Sequence, residues 1–394
     1  MGPIPEKKCV MIIAGEASGD HHGAKLVNAM QKKNNALFFC GIGGPALKNE
    51  GVRILVDASE LAVVGITEVF SKITSILKGL SVAKKALKTM HPDLLILIDF
   101  PDFNLNVAAT AKKLAIPVLY YITPQIWAWR PGRVKKIGKL VNHAAVILPF
   151  EADFFKRHQI PVTFVGHPLL DNEHSSPATA LEKPAEPNLT VGLLPGSRDR
   201  EIARHLPVML NAARILAERI KNIKFVISLA PTVEKQYVEA LIAKHKALIN
   251  FEMITGGVDE VFEKCRLVVA ASGTVTLESA ISGTPMVIIY KLSPISYWLG
   301  RVLIRVKHIG LVNLIAGKRI VPELLQGEAS PGKIADTVFE MLNDVPGLER
   351  LRNELLSTRD KLGTPGASER VADIALNILS PDISRADITA SAVL

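Results

Sequence analysis

The loop LPGSR at residues 194–198 combines residue types that could bind a phosphate. It follows an apolar run typical of a strand and precedes a helix that we expect to begin near Glu201. Gly196 lets the backbone approach a ligand, Ser197 could cap the helix, and Arg198 could hold a phosphate through two donors. The exposed amides at a helix start also favour an anion. The same spacing fits an ordinary capped helix with a solvated arginine, and the loop alone leaves both readings open.

A second loop of this kind, ASGTVTLE, occupies residues 271–278. Ser272, Gly273 and Thr274 form a small polar turn whose backbone amides could hold a pyrophosphate. Glu278 follows about one helical turn later, where its carboxylate could accept hydrogen bonds from ribose hydroxyls. An N-cap followed by a first-turn acid would look the same. Two phosphate-type loops in one half of the chain nevertheless indicate a nucleotide.

Two acids lie in the segment DFPDFN, residues 99–104, at the end of a strongly apolar run. A carboxylate at that position would be partly dry, which suits a general base. Acids three residues apart can also cap a helix, and position alone does not decide between Asp99 and Asp102. The sequence holds no Asp-x-Asp pair of the kind that binds a divalent metal on a diphosphate. We therefore expect no metal and no other cofactor, with helix termini and Arg198 neutralising the nucleotide.

The loop AGEASGDHH at residues 14–22 follows the first apolar run. It lacks G-x-G-x-x-G, so the dinucleotide fingerprint is absent. Glu16 could orient a substrate hydroxyl. His21 and His22 are adjacent and would diverge on a helix, so we expect surface residues rather than a metal pair.

Aromatic and basic side chains alternate in the segment PQIWAWRPGR, residues 124–133. Trp129 and Arg130 could contact a sugar phosphate, and a core tryptophan beside a solvated arginine fits equally well. Aromatic and basic residues also bind nucleic acid. Because no recognition helix, zinc motif or RNP motif accompanies them, we expect no nucleic acid partner.

Two stretches combine lysine or arginine with an apolar helical stripe. The second stretch spans residues 296–307. The first presents the following residues at helical spacing: Ile66, Val69, Phe70, Ile73, Ile76 and Leu77. Either stretch could lie in a bilayer interface, whereas an ordinary core-facing helix would explain the first equally well. Each basic residue near an anionic leaflet contributes only about 1 kcal/mol, so such an association would be peripheral and salt-sensitive.

Short β-branched runs alternate with segments of helical period, which is typical of parallel sheets wound with helices. The strands expected in the first half are residues 10–14, 94–99, 118–122, 145–148 and 163–165. Those expected in the second half are residues 190–194, 225–229, 267–271 and 286–290. The sequence thus predicts an α/β protein with two Rossmann-like doubly wound domains facing a cleft. We place these domains at 1–171 and 190–380, joined by a Pro-containing linker at 172–189 and followed by a tail at 381–394.

Length and composition support two cytoplasmic domains with an anionic partner. A chain of 394 residues exceeds what one core usually serves. Its 47 basic and 38 acidic residues give a net charge of +9, and the mean hydropathy of +0.25 is high for a basic protein. Three cysteines cannot form a disulfide framework. No run reaches the roughly 18 apolar residues of a membrane span, and the N-terminus does not match a signal peptide.

Taken in order, these motifs resemble those of the lipid A disaccharide synthase family over residues 11–331. The matching segments are AGEASGD (14–20), LAVVG (61–65), DFPDFN (99–104), IWAWR (126–130), LPFE (148–151), VGH (165–167), LPGSR (194–198), ASGT (271–274) and NLIAG (313–317). Each piece is short, but the combination is highly specific.

The resemblance implies a GT-B fold and transfer of 2,3-diacylglucosamine from UDP to lipid X (2,3-diacylglucosamine 1-phosphate), giving a β-1,6-linked disaccharide 1-phosphate and UDP. It makes Asp99 the favoured base, with Glu16 in the same region. It assigns the UDP-sugar to the two phosphate-type loops, Glu278 and Asn313. It also matches the region after Gly65 to a membrane-contacting segment. The expected location is then the cytoplasmic face of the inner membrane, and the anionic surface of that membrane is an expected partner. The sequence leaves open whether the protein forms a homodimer.

Two rival functions remain, the first within the same fold and the second from another class of protein. Another GT-B enzyme acting on UDP-GlcNAc, such as a 2-epimerase or a peptidoglycan GlcNAc transferase, would share the fold. Turnover of UDP-GlcNAc alone would favour the epimerase. A non-catalytic basic membrane-binding protein would bind anionic vesicles without depending on Asp99 or Arg198.

Overall fold

The computed structural model describes residues 7–61, 66–129, 131–171, 189–231, 233–244, 251–292 and 308–380. At residues 66–73, 128, 129 and 131 it describes the backbone alone. The chain forms two compact units, one of residues 1–168 and 364–394 and the other of residues 169–363. Each of the two sheets lies within one unit.

The first unit is built on a seven-stranded sheet in the order β3-β2-β1-β4-β5-β6-β7. Its strands are β1 (Lys8–Ala14), β2 (Leu37–Gly43), β3 (Arg53–Asp57), β4 (Leu94–Ile98), β5 (Val118–Tyr121), β6 (His143–Val146) and β7 (Val162–Phe164). Every pairing between these strands is parallel. Met11 and Ile13 enter one core cluster and Val10 and Ile12 the other, so both faces of the sheet are covered.

The helices of the first unit lie between its strands, and one more comes from the far end of the chain. They are α1 (Ala17–Lys33), α2 (Pro45–Asn49), α3 (Ala58–Leu61), α4 (Ile66–Met90), α5 (Pro101–Lys113), α6 (Ile126–Trp129), α7 (Val134–Leu140) and α8 (Pro149–Arg157).

The second unit carries a six-stranded parallel sheet in the order β10-β9-β8-β11-β12-β13. Its strands are β8 (Thr190–Leu194), β9 (Lys224–Leu229), β10 (Phe251–Thr255), β11 (Leu267–Ala271), β12 (Met286–Tyr290) and β13 (Glu323–Leu325). Its helices are α9 (Asp199–Arg219), α10 (Lys235–Lys244), α11 (Asp259–Lys264), α12 (Val275–Ile281), α13 (Leu311–Ala316), α14 (Pro331–Asn343) and α15 (Val345–Asp360). The α/β class with two parallel sheets is therefore as the sequence predicts.

The last helix, α16 (Ala367–Leu379), belongs to the first unit. Its buried face joins the core cluster that contains Leu26 of α1. Arg370 Nε donates to the Val165 carbonyl at 2.9 Å, and Lys33 pairs with Asp373. The structure thus differs from the expected boundary of 190–380, because an amphipathic helix does not record in its sequence which sheet it covers. Residues 172–188 of the expected linker at 172–189, and the expected tail at 381–394, lie outside the described residues.

None of the helices in the described ranges combines the length and the apolar content that crossing a bilayer requires.

Candidate active site

Asp99 lies at the turn between β4 and α5, in the first unit. Its φ of 45° and the φ of 48° at Phe100 are both left-handed. Residues other than glycine rarely adopt this conformation, and each instance costs about 1–3 kcal/mol. Phe100 fills the space where a side chain at Gly15 would lie, so the loops that follow β1 and β4 approach each other closely. Such strain persists only where the surroundings hold the turn, and it concentrates at functional sites.

The electrostatic surroundings of Asp99 suit a general base. Burial raises the pKa of its carboxyl to about 6, and the negative charge of Glu16 contributes to the same shift. Glu16 itself is exposed. A carboxylate with this pKa is mostly ionised at pH 7 yet binds a proton more readily than an ordinary aspartate.

Asp102 lies in different surroundings, although position in the sequence alone could not separate the two acids. Its side chain is 76% exposed and pairs with the guanidinium of Arg133 at 2.7 Å. The Asp102 carboxylate is thus engaged by a guanidinium and faces solvent, whereas the Asp99 carboxyl is half-buried. The geometry therefore favours Asp99 over Asp102 as a base.

Asp20, in the first turn of α1, has a structural role that the sequence motif did not reveal. Its buried carboxylate accepts hydrogen bonds from the amides of Gly44 at 2.6 Å, Ala46 at 2.9 Å and Leu47 at 3.2 Å. These amides surround the start of α2, so Asp20 fixes the β2–α2 loop beside the loop that carries Glu16.

The two histidines of the N-terminal loop differ in burial. His21 is exposed, as expected, whereas His22 is partly buried. His167 is buried, and burial followed by the charge of His22 lowers the pKa of His167 to about 3. His167 is therefore neutral at physiological pH.

The aromatic segment in the first unit is anchored by a buried acid. Trp127 Nε1 donates to Glu151 Oε1 at 3.0 Å, and its ring meets the ring of Phe150 edge-on. Glu151 Oε2 also accepts the Leu148 amide at 3.1 Å. Burial raises the pKa of Glu151 to about 7.

The two residues predicted to contact the acceptor fall where little or nothing is described. The structure describes only the backbone of Trp129, and Arg130 lies outside the described residues.

The first phosphate-type loop of the second unit connects β8 to α9. Gly196 has a φ of 120°, and a Cβ there would lie 2.7 Å from Glu201 Oε2. Glu201 Oε2 accepts the Ser197 amide at 3.2 Å, and Glu201 Oε1 lies 3.4 Å from Arg198 Nη1. The cap position falls on Arg198, one residue later than expected, and no cap bond comes from its side chain. The Glu201 carboxylate thus accepts the Ser197 amide, which is one of the amides that a bound anion would use.

His205, on α9, ties this loop to the end of β12, and its role was not foreseen from the sequence. Its Nδ1 donates to the Pro195 carbonyl at 3.0 Å, and its Nε2 accepts the Lys291 amide at 3.2 Å. The side chain is only 2% exposed, and burial lowers its pKa. The sequence feature that could have indicated a buried histidine is its position on the apolar face of α9, with Ile202 and Leu206.

The second phosphate-type loop follows β11, as predicted. Ser272 donates its amide to the Ile289 carbonyl at 3.0 Å, while Gly273 and Thr274 are exposed ahead of α12. Burial, followed by the charge of Asp259, raises the pKa of Glu278 to about 7. Glu278 can therefore both donate and accept a hydrogen bond near neutral pH. The structure places the two loops after β8 and β11, which are neighbouring strands.

Asn313 is fully buried, and its amide is used within the protein. Nδ2 donates to the Val321 carbonyl at 3.0 Å and to Glu323 Oε1 at 2.7 Å. Oδ1 accepts the amides of Ile320 at 2.8 Å and Val321 at 3.0 Å. With all four positions occupied, Asn313 orders the loop after α13 in this structure and has no free group for a direct UDP contact.

Part of the expected membrane stripe lies on α4. Ile76 and Leu80 pack against the core of the first unit, whereas Leu77 is 59% exposed. The side chains of Ile66, Val69, Phe70 and Ile73 are not among those described, nor is the second stretch at 296–307. The described portion thus combines a core-facing side with an exposed leucine.

Comparison with known proteins identifies the family. The model of the lipid-A-disaccharide synthetase family matches residues 10–373. The chain belongs to this family. A lipid-A-disaccharide synthase of Syntrophus aciditrophicus is 48% identical over 376 residues, which cover 94% of this chain and 98% of that protein. The chain is therefore an enzyme of the glycosyltransferase class, and the resemblance seen in its motifs is confirmed.

Solved structures of lower identity share the fold. The S. aureus protein MnaA, in a co-structure with UDP, aligns with a TM-score of 0.62 at 13% identity and covers 95% of this chain and 97% of its own. A UDP-GlcNAc 2-epimerase of Neisseria meningitidis bound to UDP-GlcNAc aligns with a TM-score of 0.57 at 14% identity, covering 95% and 100%. At such identities the likeness supports a GT-B-like fold alone.

Proposed function

We propose that the enzyme transfers 2,3-diacylglucosamine from UDP-2,3-diacylglucosamine to lipid X, forming the β-1,6-linked disaccharide 1-phosphate and UDP. Family membership supports the general reaction. The observation that carries the mechanism is the half-buried carboxyl of Asp99, whose pKa is raised to about 6 at the strained β4–α5 turn.

In the proposed step, Asp99 accepts the proton of the acceptor 6-hydroxyl. The oxygen forms a bond to the anomeric carbon of the donor from the face opposite UDP, and the bond to the UDP oxygen breaks with its electron pair. One displacement inverts the anomeric centre, so an α-linked donor gives a β-linked product. The proton on Asp99 then passes to solvent.

The second unit is proposed to bind the UDP part of the donor. The exposed turn at Gly273 and Thr274 offers amides, and Glu278 offers a carboxyl group for ribose hydroxyls. Arg198 would pair with a phosphate in place of Glu201, whose carboxylate is within 3.4 Å of it in this structure. Asn313 supports the site by ordering the loop after α13.

The acceptor and the membrane are proposed to meet the first unit. Trp129 and Arg130 follow Trp127, which Glu151 anchors, and they would contact the lipid X phosphate. Leu77 is exposed on a helix that also carries Lys84, Lys85 and Lys88. With this leucine and these lysines, the helix would bind peripherally to the anionic cytoplasmic face of the inner membrane. This binding should weaken as the salt concentration rises.

A mass-spectrometric assay tests the reaction. The protein is incubated with UDP-2,3-diacylglucosamine and lipid X in mild detergent, with EDTA present and again with added Mg²⁺. Disaccharide 1-phosphate and UDP in both tubes support the proposal and its metal independence. No product from folded protein in either tube, together with turnover of UDP-GlcNAc alone, would replace the proposal by an epimerase function.

A further inference from the structure

Two fully buried side chains converge on the backbone carbonyl of Asp99. Asn104 Nδ2, on α5, donates to this oxygen at 2.6 Å and to the Ile98 carbonyl at 3.2 Å. The hydroxyl of Tyr120, on β5, donates to the same oxygen at 2.8 Å. The carbonyl at the strained turn is therefore held from a helix and from the neighbouring strand.

Backbone groups also hold the turn, and the Phe100 amide donates to the Asp99 carboxyl. The Asp99 amide donates to the Ile122 carbonyl at 3.1 Å, and the Asn104 amide donates to the Phe100 carbonyl at 3.0 Å. The bonds to Ile122 and Phe100 continue the sheet and begin the helix. The two side-chain donors hold the carbonyl end of the peptide between Asp99 and Phe100, and the orientation of this peptide sets the direction in which the Asp99 side chain leaves the backbone.

We propose that Asn104 and Tyr120 are positioning residues that hold Asp99 in its left-handed conformation and so aim its carboxylate at the acceptor hydroxyl. The role rests on the proposed function of Asp99 as the base. Neither side chain needs to touch the substrate, since both act through the Asp99 carbonyl.

The Tyr120 hydroxyl is suited to this role at every physiological pH. Its burial and the nearby charge of Asp99 raise its pKa well above the ordinary value, so it remains a donor. The Asn104 amide has no titratable group. Asp102 and Arg133 also face the Tyr120 hydroxyl, with opposite effects on its pKa.

The test compares Tyr120→Phe and Asn104→Leu with wild type, using Asn106→Leu as the matched control. Asn106 lies on the same helix and donates to the Asp102 carbonyl at 2.8 Å from an exposed position. The assay measures kcat, the KM of the UDP-sugar donor and the pH dependence of kcat/KM. Tyr120→Phe removes one oxygen atom from the core, so it should fold even if Asn104→Leu does not.

Loss of one neutral hydrogen bond corresponds to about a fivefold decrease in kcat for Tyr120→Phe. Asn104→Leu, which removes two bonds, should lose more. In both variants the donor KM should stay unchanged. The acidic limb of the pH profile of kcat/KM should move to lower pH, because the Asp99 carboxyl gains access to water. Asn106→Leu should behave as wild type. The inference would be overturned if Tyr120→Phe had the kcat of wild type and the same acidic limb in its pH profile. A lower melting temperature with both kinetic quantities unchanged would overturn it as well.

A second readout separates this inference from the proposed function. If wild type transfers no sugar, the proposed function fails, and positioning is read from a carbon-13 NMR titration of the Asp99 carboxyl. A wild-type midpoint near 6 that falls in Tyr120→Phe would support the inference. The same midpoint in both proteins would contradict it.

Discussion

Replacing Asp99 with asparagine should stabilise the protein at neutral pH even though it removes the proposed base. Burial and the charge of Glu16 raise the pKa of this carboxyl from 3.8 to about 6. The ionised carboxylate is therefore less stable in the folded chain than in the unfolded chain. A neutral amide of the same shape avoids this cost.

The magnitude follows from the rise of the pKa from 3.8 to about 6. At 1.36 kcal/mol per unit, the cost of ionised Asp99 has a ceiling of about 3 kcal/mol. Because the side chain is only partly buried, solvent screening reduces the expected gain to about 1–2 kcal/mol. For a unit of 150–250 residues this corresponds to a rise in Tm of about 2–8 °C.

The sign of the pH dependence is fixed by the direction of the shift. Because the folded pKa is the higher one, the cost is fully present above pH about 6 and disappears as the pH falls below 3.8. Thermal unfolding of wild type and Asp99→Asn at pH 7.5 and pH 4.5 should therefore show a gain that is several times smaller at the lower pH.

Asp102→Asn is the control for this measurement, because that side chain is 76% exposed and pairs with Arg133. It should change Tm little at either pH. The reasoning would be refuted if Asp99→Asn were no more stable than wild type at pH 7.5. It would also be refuted if the rise in Tm over wild type were equal at both pH values.

Three further predictions concern the donor loops and the membrane. Arg198→Ala should raise the donor KM about tenfold or more by removing a charged hydrogen bond, and an unchanged KM in steady-state assays would exclude phosphate contact. His205→Phe should also raise the donor KM, because it removes the hydrogen bonds to the Pro195 carbonyl and the Lys291 amide that order the loop. Wild-type kinetics in this variant would show that these two bonds are dispensable. Changing Leu77, which is 59% exposed, to serine should weaken binding to anionic vesicles in a flotation assay at an unchanged Tm. Vesicle binding equal to that of wild type would exclude a membrane contact at this side chain.

Most of the strands could be predicted from the sequence, including the edge strand β7, but β2, β3, β10 and β13 could not. The central strands β1, β4, β8 and β11 are continuous apolar runs and were expected close to their observed bounds. The edge strand β3 is only partly buried, and β13 spans three residues, so neither has a clear period. The two left-handed residues that precede the start of α5 at Pro101 could not be predicted either, because neither is a glycine.

Side-chain roles in the site depended on contacts far apart in the chain. The motif DFPDFN identified two candidate acids, but only the fold shows Asp99 half-buried near Glu16 and Asp102 paired with Arg133. Asn313 resembled a ligand contact in sequence, yet Glu323 and the backbone around Val321 use its whole amide. Such partners cannot be read from local spacing.

Single-turnover transfer by wild type, Asp99→Asn and Asp102→Asn, with UDP affinity measured in parallel, tests the assignment of the base most directly. Asp99→Asn should lose about 10²- to 10⁴-fold in rate while binding UDP as wild type does, because only proton transfer is removed. Asp102→Asn should stay within a few-fold of wild type. Normal transfer by Asp99→Asn would contradict the central claim.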